Sequence, residues 1–432
     1  MEIKIGVIAD DFTGAGDAAS FLAMSGLQTI MFTEIPEKLE RECEAVVIAL
    51  KSRSVPPEDA IKMSSAALEF LQKIGCKKLY FKYCSTFDST PKGNIGVVLD
   101  AFLEKLNLSY TLLCPSLPVN GRTVRDGILY VNGVKLEDSP LKNHPLNPMW
   151  ASYLPELMKE QSKYPVYVID RNILQTKTAD EITAPYRAKN EKFYLVPDYE
   201  TDEDAKQISE KFGSLPLLSG GSGLLEFLLP KEHAAKEQVT ENHKDRRAII
   251  LCASCSQASR KQIVKYREKG GICYPVDSKK LLRGELNADQ IMEFVEKQNR
   301  TVLIYSEAVE GDMKLLSAQP TFAQESKKIE ELMADLSERA LKLGVNRIVV
   351  GGGETSGAVT LKLGFHGFYI GDNIDPGVPV LYPLHNSQIS LVLKSGNFGS
   401  EEFFLKSIQY EPNTIFNTNP KEAVAIVPTP KS

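Results

Sequence analysis

Two adjacent carboxylates follow the first apolar run of the chain. Asp10 and Asp11 stand directly after Ile3–Ala9, which has the character of a strand, and a glycine-rich turn follows them. Two like charges are costly to place side by side unless they bind a cation, a hydroxyl group or a proton in transit. The pattern therefore predicts a site for a polyol or carboxylate substrate, with an Asp that accepts a proton. An Asp cap on a glycine turn is the structural alternative.

The same turn contains the spacing Gly14-x-Gly16-x-x-Ala19, which is typical of dinucleotide-binding folds. Acidic residues precede the glycines and also lie among them, and they would repel a pyrophosphate. We therefore favour the polyol site. The rival hypothesis, an NAD-dependent sugar-acid dehydrogenase, predicts an acidic ribose-binding residue about 20 positions further on, and Glu34 is near that spacing.

A second polar cluster follows the strand predicted over Lys78–Lys82. Its residues are Lys82, Tyr83, Cys84, Ser85 and Asp88. A helix is predicted to begin just after them, and a helix N-terminus offers free N–H groups and partial positive charge, which suit a carboxylate or a phosphate. Capping of that helix by Ser and Thr is the alternative.

Two arginines near strand ends are candidates for binding a substrate carboxylate. Arg53 lies just past the strand predicted over Ala45–Leu50, and Arg122 lies in the segment that follows Cys114 and Pro115. A guanidinium group matches a carboxylate with two parallel hydrogen bonds, although an exposed arginine needs no such role. His144, in a proline-rich loop, is predicted to be structural.

Glycine-rich loops dominate the second half of the chain. The strand predicted over Arg347–Val350 runs into Gly351, Gly352, Gly353 and Glu354 at the start of a helix. Main-chain N–H groups in such a loop bind phosphate oxygens, and the helix dipole supports the charge. The Walker spacing G-x-x-x-x-G-K-[ST] is absent, so the loop is not a P-loop.

Two further strand ends support a nucleotide site in this half. One carries Gly396 in a second glycine loop, and the other carries the small hydroxyl residues Ser254 and Ser256. Either hydroxyl residue is small enough to approach a phosphate or a ribose.

Strand and helix patterns alternate through both halves, which predicts parallel sheets flanked by helices. The expected fold is α/β in two domains: a substrate-binding domain over 1–232, a charged linker over 233–247 and a nucleotide-binding domain over 248–432. The last dozen residues are expected to form a tail. Ligands bind outside the carboxyl ends of parallel strands, where all the clusters above lie.

The composition sets broad limits on function. The chain has 432 residues and a formal net charge of −5, without the basic excess that a nucleic-acid surface needs. It contains neither an apolar run of the roughly 18–20 residues that a transmembrane helix requires nor a signal-peptide pattern. We expect a cytoplasmic enzyme that acts on a small-molecule substrate and has no nucleic-acid or membrane partner. Whether it forms a homo-oligomer stays open.

Taken together, the motifs resemble those of the four-carbon acid sugar kinases, in order and over almost the whole chain. The motifs are IADDFTGAGDAA (8–19), FKYCSTFDSTPKGNIG (81–96), LPVNGRTV (117–124), GGSGL (220–224), GGGETSGAV (351–359) and LKSGNFG (393–399). The second motif and the loop NHPLNPM (143–149) resemble the 3-oxo-tetronate 4-kinase branch. D-threonate or D-erythronate 4-kinases of the same family are the alternative.

The resemblance implies an N-terminal domain for the sugar acid, a C-terminal domain for ATP and an active site in the cleft between them. It places the substrate on Asp11, Arg53 and Lys82–Ser85. It places the nucleotide on Ser254, Gly351–Glu354 and Gly396; Ala253 stands where glycine is common, which leaves open whether Ser254 or Ser256 touches the nucleotide.

Phosphoryl transfer to the O4 hydroxyl would then use Asp10 or Asp11 as proton acceptor. Mg²⁺ would bind the phosphates with Glu354 as a ligand, directly or through water. A non-catalytic sugar-acid sensor on the same scaffold remains a second rival.

Overall fold

A computed structural model describes residues 2–143, 148–189, 192–229, 247–307 and 320–411. The chain forms two compact units, Met1–Ala234 and Ala235–Ser432. The predicted linker apart from Arg247, the predicted C-terminal tail and His144 lie outside the described residues.

The N-terminal unit alternates strands with helices. Its strands are β1 (Ile5–Ala9), β2 (Thr29–Phe32), β3 (Ala45–Ala49), β4 (Lys78–Lys82), β5 (Tyr110–Leu112), β6 (Arg122–Arg125), β7 (Ile128–Val131), β8 (Val134–Lys135), β9 (Val166–Ile169), β10 (Phe193–Pro197) and β11 (Leu217–Gly220). Its helices are α1 (Phe12–Met24), α2 (Pro57–Lys73), α3 (Ile95–Lys105), α4 (Leu154–Lys159), α5 (Arg171–Thr176), α6 (Ala179–Arg187) and α7 (Asp202–Phe212).

A parallel sheet of order β11-β4-β1-β3-β2 forms the centre of this unit. Every residue of β1 and β3 is buried, as expected for a parallel sheet covered on both faces. In the register of the sheet, Ala9 lies beside Ala49 and Lys82. The residues that follow these three positions therefore emerge at the same edge.

Two smaller sheets complete the N-terminal unit. Strands β5, β10 and β9 form a parallel sheet, and β6, β7 and β8 form an antiparallel meander. The meander carries Arg122 on its first strand.

The C-terminal unit repeats the alternation. Its strands are β12 (Ala248–Cys252), β13 (Ile272–Val276), β14 (Val302–Ser306), β15 (Arg347–Gly351), β16 (Gly367–Asp375), β17 (Val378–Pro383) and β18 (Ser390–Lys394). Its helices are α8 (Gln257–Glu268), α9 (Ser278–Leu282), α10 (Ala288–Glu296), α11 (Phe322–Lys342), α12 (Gly353–Leu363) and α13 (Phe403–Gln409).

Strands β18, β15, β12, β14 and β13 of this unit are parallel, and β16 and β17 join them in antiparallel pairs. Gly351 lies in register with Cys252 and with Lys394. The three loops predicted to bind the nucleotide consequently leave one edge of the sheet at neighbouring positions.

The predicted α/β class with two domains and largely parallel sheets is confirmed. The sequence interpretation missed the meander, whose short strands mix polar and apolar residues. It also missed the β16–β17 hairpin, in which the second half of β16 is polar and part-exposed although β17 is a fully buried run. The helical pattern in the sequence covers Lys328–Leu343, whereas α11 begins earlier, at Phe322. Among the described residues, none of the helices combines the length and the apolar character needed to cross a membrane.

Candidate functional site

Asp10 forms a two-pronged ion pair with Arg53 at the carboxyl edge of the N-terminal sheet. Arg53 Nε lies 2.9 Å from Asp10 Oδ2, and Arg53 Nη2 lies 2.8 Å from Asp10 Oδ1. Nη2 also lies 3.0 Å from Asp11 Oδ1. One guanidinium group thus pairs with both adjacent carboxylates, and its charge together with that of Lys82 offsets their repulsion.

The loop that carries Arg53 is fixed from two directions. The main-chain N–H groups of Ser52 and Arg53 donate to the carbonyl oxygen of Asp10. Asn94 Nδ2 donates to the carbonyl oxygens of Ser52 and Val55, at 2.8 Å each, and to that of Arg53 at 3.2 Å. Asn94 is therefore a positioning residue for Arg53, and the sequence interpretation quoted it without giving it this role.

Asp11 closes the N-terminus of α1. It is the N-cap of the helix, and its Oδ1 accepts the N–H of Gly14 at 2.8 Å. Its other oxygen accepts the hydroxyl of Thr13 at 3.0 Å. The Asp11 side chain is 27% exposed, against 6% for that of Asp10, so Asp11 is the more accessible of the two carboxylates.

The pKa values of the two carboxyls shift in opposite directions. Burial raises the pKa of Asp10, and the Arg53 charge opposes this without cancelling it. Burial also acts to raise the pKa of Asp11, but Arg53, Lys82 and the hydrogen bonds from Gly14 and Thr13 outweigh it, so that its pKa is lowered. Asp11 is therefore ionised at neutral pH.

Lys82 and Asp17 extend the charged cluster into the protein. Lys82 ends β4, is 2% exposed, and donates from Nζ to the carbonyl oxygen of Tyr83 at 2.9 Å. Asp17 lies in α1 and is 3% exposed; its Oδ2 accepts the hydroxyl of Ser222, and its Oδ1 has no hydrogen-bond partner among the described residues. Burial raises the pKa of Asp17 to about 6. The sequence interpretation mentioned Asp17 but did not place it in the site; its polarity within a run of small apolar residues was the available signal.

Most other predicted substrate residues lie near this cluster. Asp88 Oδ2 is 4.0 Å from Arg53 Nη1. Cys84 contacts the hydroxyl of Thr86 at 2.9 Å. Arg122 Nε has no hydrogen-bond partner within the described part of the chain, which leaves a donor for a ligand.

Two predicted residues contribute in another way. The ring of Tyr83 is fully buried and packs edge-on against Phe87, with ring centres 5.5 Å apart. Its side chain therefore belongs to the core, although its carbonyl oxygen holds Lys82. Ser85 is 8% exposed and packs close to Gly221, where an added Cβ would lie 3.4 Å from that of Ser85.

The N-terminus of α3 is occupied from within the chain. Gln161 Oε1 accepts the N–H of Gly96 at 3.2 Å, and Gln161 Nε2 donates to the carbonyl oxygens of Thr90 and Leu157. Gly96 has no space for a side chain, because a Cβ there would lie 2.7 Å from Gln161. This helix end is thus a packed junction, in contrast to the open anion site that the sequence interpretation considered.

Three strand ends meet at the carboxyl edge of the C-terminal sheet. The N–H of Ser254 donates to the carbonyl oxygen of Gly351, and the N–H of Gly352 donates to that of Lys394. An added Cβ at Gly396 would lie 2.8 Å from Ser254 Oγ, and one at Gly351 would lie 2.8 Å from Cys252 Sγ. Glycine is required at both positions because the loops touch one another.

The N-terminus of α12 is open. Its N-cap, Gly352, has φ +128° and no side chain that could accept the first N–H groups of the helix. The N–H groups of Gly353, Glu354 and Thr355 belong to that first turn, where an α-helix supplies no acceptor of its own. Donors and helix dipole together favour a phosphate at this end.

Ser254 and Ser256 have different roles. Ser256 caps α8, accepting the N–H of Ser259 at 3.1 Å, and its hydroxyl donates to the carbonyl oxygen of Gly396. Lys394, fully buried, donates to the same carbonyl at 2.8 Å and to Ser259 Oγ at 2.9 Å. Burial lowers the pKa of Lys394 to about 8. These residues hold the Gly396 loop in place. Ser254, and not Ser256, lines the cavity beside α12.

A cavity of about 250 Å³ begins at this helix end. Ser254 and the segment Gly352–Thr355 form one wall, and residues of α11 together with Ser278 and Ser306 form the other. A volume of this order is compatible with part of a nucleotide.

The described residues contain no group of three or more His, Cys, Asp or Glu side chains placed to hold a metal ion. Mg²⁺ in phosphoryl-transfer sites uses one or two carboxylates with phosphate oxygens and water. Glu354, in the first turn of α12 and on the cavity wall, suits that chemistry.

Comparison with known proteins gives a match over both units. A family model for a sugar-binding N-terminal domain matches residues 5–228, and one for a nucleotide-binding C-terminal domain matches residues 249–404. The chain is 41% identical over 415 residues to the 3-oxo-tetronate kinase of Salmonella typhimurium LT2, covering 94% of this chain and 98% of that protein. It is 39% identical to the 3-oxo-tetronate kinase of Escherichia coli K12, covering 87% and 99%.

Solved structures show the same architecture. A crystal structure from Salmonella typhimurium LT2, described as a tRNA synthase, has a TM-score of 0.82 and 40% identity, covering 94% of this chain and 99% of that one. A Haemophilus influenzae protein has a TM-score of 0.73 and 38% identity, covering 93% and 98%.

A sugar-binding domain followed by a nucleotide-binding domain defines a small-molecule kinase, an enzyme that uses ATP. The chain belongs to the four-carbon acid sugar kinase family, as its motifs predicted, and its named relatives are 3-oxo-tetronate kinases.

Proposed function

We propose that this chain transfers the γ-phosphoryl group of ATP to the O4 hydroxyl of a 3-oxo-tetronate. The observation that carries the proposal is a pair of chemically opposite sites: a carboxylate cluster with buried cations in one unit, and an open helix N-terminus beside glycine loops in the other. The kinase relatives at 36–41% identity support the substrate class.

Cations of the N-terminal unit would bind the sugar acid. Arg122 has an unpartnered Nε among the described residues, and Lys82 and Arg53 bring two further positive charges. The substrate carboxylate and oxo group accept hydrogen bonds from such donors, which orients the chain of four carbons. Ser85 and Asp88 would form hydrogen bonds with the remaining hydroxyl groups of the substrate.

Asp11 would orient the O4 hydroxyl and accept its proton. Asp10 is held on both oxygens by Arg53, whereas Asp11 is more exposed and ionised. A general base of this kind acts while the phosphoryl group is transferred, and positioning of the hydroxyl accounts for much of its effect.

The nucleotide would lie on the C-terminal unit with its phosphates at Gly351–Glu354, Ser254 and Gly396. Ser256 would support the Gly396 loop without touching the nucleotide. Mg²⁺, with Glu354 and water as ligands, would supply charge neutralisation on the phosphates. The N–H groups at the start of α12 would hold the phosphate oxygens in fixed positions.

The decisive experiment is a coupled ADP-release assay with purified protein on 3-oxo-tetronates, D-threonate and D-erythronate. We expect kcat/KM for one 3-oxo-tetronate to exceed that for the plain acids by about 100-fold, because groups built to pair with the oxo oxygen are left unpaired by the analogues. Phosphorus NMR of the product checks that the phosphate is on O4. Preference for D-threonate or D-erythronate would move the assignment to the sister enzymes of the family.

Two controls make the assay specific. Ligand binding without ADP release would support the sugar-acid sensor, and binding of a nicotinamide dinucleotide would support the dehydrogenase. A cytoplasmic location and assembly into a homo-oligomer remain predictions from the sequence.

A further inference from the structure

The cavity beside α12 has two ends of different chemistry. One end consists of main-chain N–H groups and small hydroxyls, from Gly352–Thr355 and Ser254. The other end is formed by Phe322, Glu325 and Ile329 of α11 together with Ser278. The first end suits phosphates, and the second combines an apolar surface with a carboxylate.

The cavity is long enough for more than phosphates. It spans the strand ends from β15, which leads into Gly352, across β12 and β14 to β13, which precedes Ser278. Three inter-strand spacings amount to about 14 Å. A nucleotide with its phosphates at α12 therefore has room to extend its nucleoside toward α11.

One face of α11 is directed at the cavity. Phe322, Glu325 and Ile329 follow one another at intervals of three and four positions, which places them on the same side of a helix. A carboxylate at a position of this buried face runs against the rule that such a stripe is apolar. Glu325 is 8% exposed, and its presence there requires an explanation.

Two hydroxyl groups fix the Glu325 carboxylate. Ser278 Oγ donates to Oε2, and Thr321 Oγ1 donates to Oε1 at 2.7 Å. A carboxylate has about four acceptor positions, so each oxygen retains capacity for one more donor. Burial acts to raise the pKa of Glu325, but the two hydroxyl donors outweigh it and lower the pKa, so the group is an anion at neutral pH.

We propose that Glu325 is the ribose-recognition residue of the nucleotide site, accepting hydrogen bonds from the ribose hydroxyls while the base packs against Phe322 and Ile329. The inference rests on the proposed function, since it assumes that the phosphates occupy the start of α12. It adds a specificity determinant: the site selects nucleotides with a complete ribose.

The test is equilibrium binding of ADP, 2′-deoxy-ADP and 3′-deoxy-ADP to the full chain by calorimetry, without a sugar acid and both with and without Mg²⁺. A hydrogen bond to a charged group contributes about 1.5–3 kcal/mol, or about 10- to 100-fold in Kd. We expect wild type to bind ADP at least about 10-fold more tightly than one of the deoxy analogues. Glu325→Ala is expected to bind all three equally, because it weakens only those ligands that carry the ribose hydroxyl bound by Glu325.

Matched variants separate recognition from folding. Glu331→Ala removes a carboxylate from the same helix, where it is 49% exposed and paired with Lys328, and should retain the wild-type preference. Glu325→Gln preserves shape and keeps a neutral acceptor. This variant should still bind ADP more tightly than the deoxy analogue, but by a smaller factor than wild type, and it can be measured even if the alanine variant does not fold.

Three results would overturn the inference. Equal binding of ADP and both analogues by wild type would show that the protein does not recognise the ribose hydroxyls. An equal loss for all three ligands in Glu325→Ala and Glu325→Gln would assign Glu325 a structural role, and a loss confined to Mg²⁺-containing samples would make it a metal-site residue. If wild type bound no adenine nucleotide, the proposed function itself would fail, which is a different result from unselective binding.

Discussion

Helices α1 and α12 both begin at a glycine-containing turn after a buried parallel strand, yet their N-termini have opposite chemistry. Asp11 closes α1 by accepting the N–H of Gly14. Gly352 leaves the start of α12 open, because it has no side chain that could accept the first N–H groups. The strand–helix junction at Asp11 is suited to hydroxyls and cations, and the strand–helix junction at Gly352 is suited to phosphate.

The difference shows that glycine spacing alone does not define a phosphate site. The spacing Gly14-x-Gly16-x-x-Ala19 matches a dinucleotide motif, but the N–H that a pyrophosphate would use is bound to a carboxylate. The N-cap residue decides what the helix dipole can bind. Four experiments test this comparison.

Asp11→Asn should have the largest effect. It removes the proposed proton acceptor of the N-terminal unit while leaving a cap, so kcat should fall by about 1,000-fold, within the range for general-base catalysis. The KM for ATP should stay unchanged, since the proposed nucleotide site is at the N-terminus of α12. Steady-state kinetics measure both values.

Asp170→Asn is the control for this variant. Asp170 also caps a helix, α5, by accepting the N–H of Ile173 at 2.8 Å, but it lies outside the charged cluster. Its variant should retain full turnover. Turnover of Asp11→Asn within a few-fold of wild type would remove Asp11 from the chemistry.

Asp17→Asn tests the effect of the buried Asp17 carboxyl group in α1 on stability. The pKa of Asp17 is raised to about 6 in the folded chain from about 3.9 in an unfolded one. The folded state therefore holds a proton that the unfolded chain has lost, and stability falls as the pH rises from about 4 to about 6, then stays level. The variant lacks this loss, so its free energy of unfolding relative to wild type should increase by about 3 kcal/mol between about pH 4 and pH 7.

Urea unfolding at several pH values, followed by the fluorescence of Trp150, measures this difference in the N-terminal unit. Trp150 is the one tryptophan of the chain. Asp180→Asn, at a carboxylate that is 89% exposed, should show no such trend. A pH-independent difference for Asp17→Asn would mean that its carboxyl titrates normally.

Gly352→Ala tests the open junction. Its φ of +128° disfavours any side chain, and a Cβ would lie 3.3 Å from that of Ser254. Strain of this kind costs about 1–3 kcal/mol, so kcat/KM for ATP should fall by about 30-fold. Binding of the sugar acid should be unchanged.

Gly364→Ala separates local strain from site geometry. Gly364 ends the same helix at φ +67° with open space around its Cβ position. This variant should lower the thermal midpoint but leave the KM for ATP as in wild type. Equal kinetic losses in both variants would attribute the effect of Gly352→Ala to the helix as a whole.

Ser256→Ala should have the smallest effect. It removes the cap of α8 and the hydroxyl that holds Gly396, at a cost of about 1 kcal/mol in stability. The KM for ATP should rise only a few-fold, since Ser254 keeps its place on the cavity wall. Thr201→Ala, which removes an equivalent cap from α7, should match the loss in stability, measured by thermal unfolding, without a change in KM.

Sequence patterns revealed the junctions themselves. The strand Lys78–Lys82 was predicted with its observed bounds, and β1, β3 and β15 were predicted to within two residues at each end. Buried parallel strands are continuous apolar runs, and glycine marks sharp turns. These signals come from residues that are close together in the sequence, so they can be recognised without a structure.

The start of α11 was not predicted, and with it the wall that contains Phe322 and Glu325. The helix begins without a side-chain cap at Thr321. The first turn also carries Glu325 in its buried stripe, which interrupts the apolar period. A local pattern could not distinguish this turn from a loop.

By itself, the sequence determined the two-domain α/β fold and the family, and it located the strand ends that we propose carry the chemistry. Tertiary structure decided which polar groups meet at those ends. Asn94 fixes the loop of Arg53 from 41 residues away, and Ser222 reaches Asp17 across 205 residues. Such contacts form only because the sheets align distant strand ends at one edge, and no pattern along the chain records the alignment. At the two helix starts that lie on these edges, the N-cap residue decides the difference: Asp11 closes α1, and Gly352 leaves α12 open.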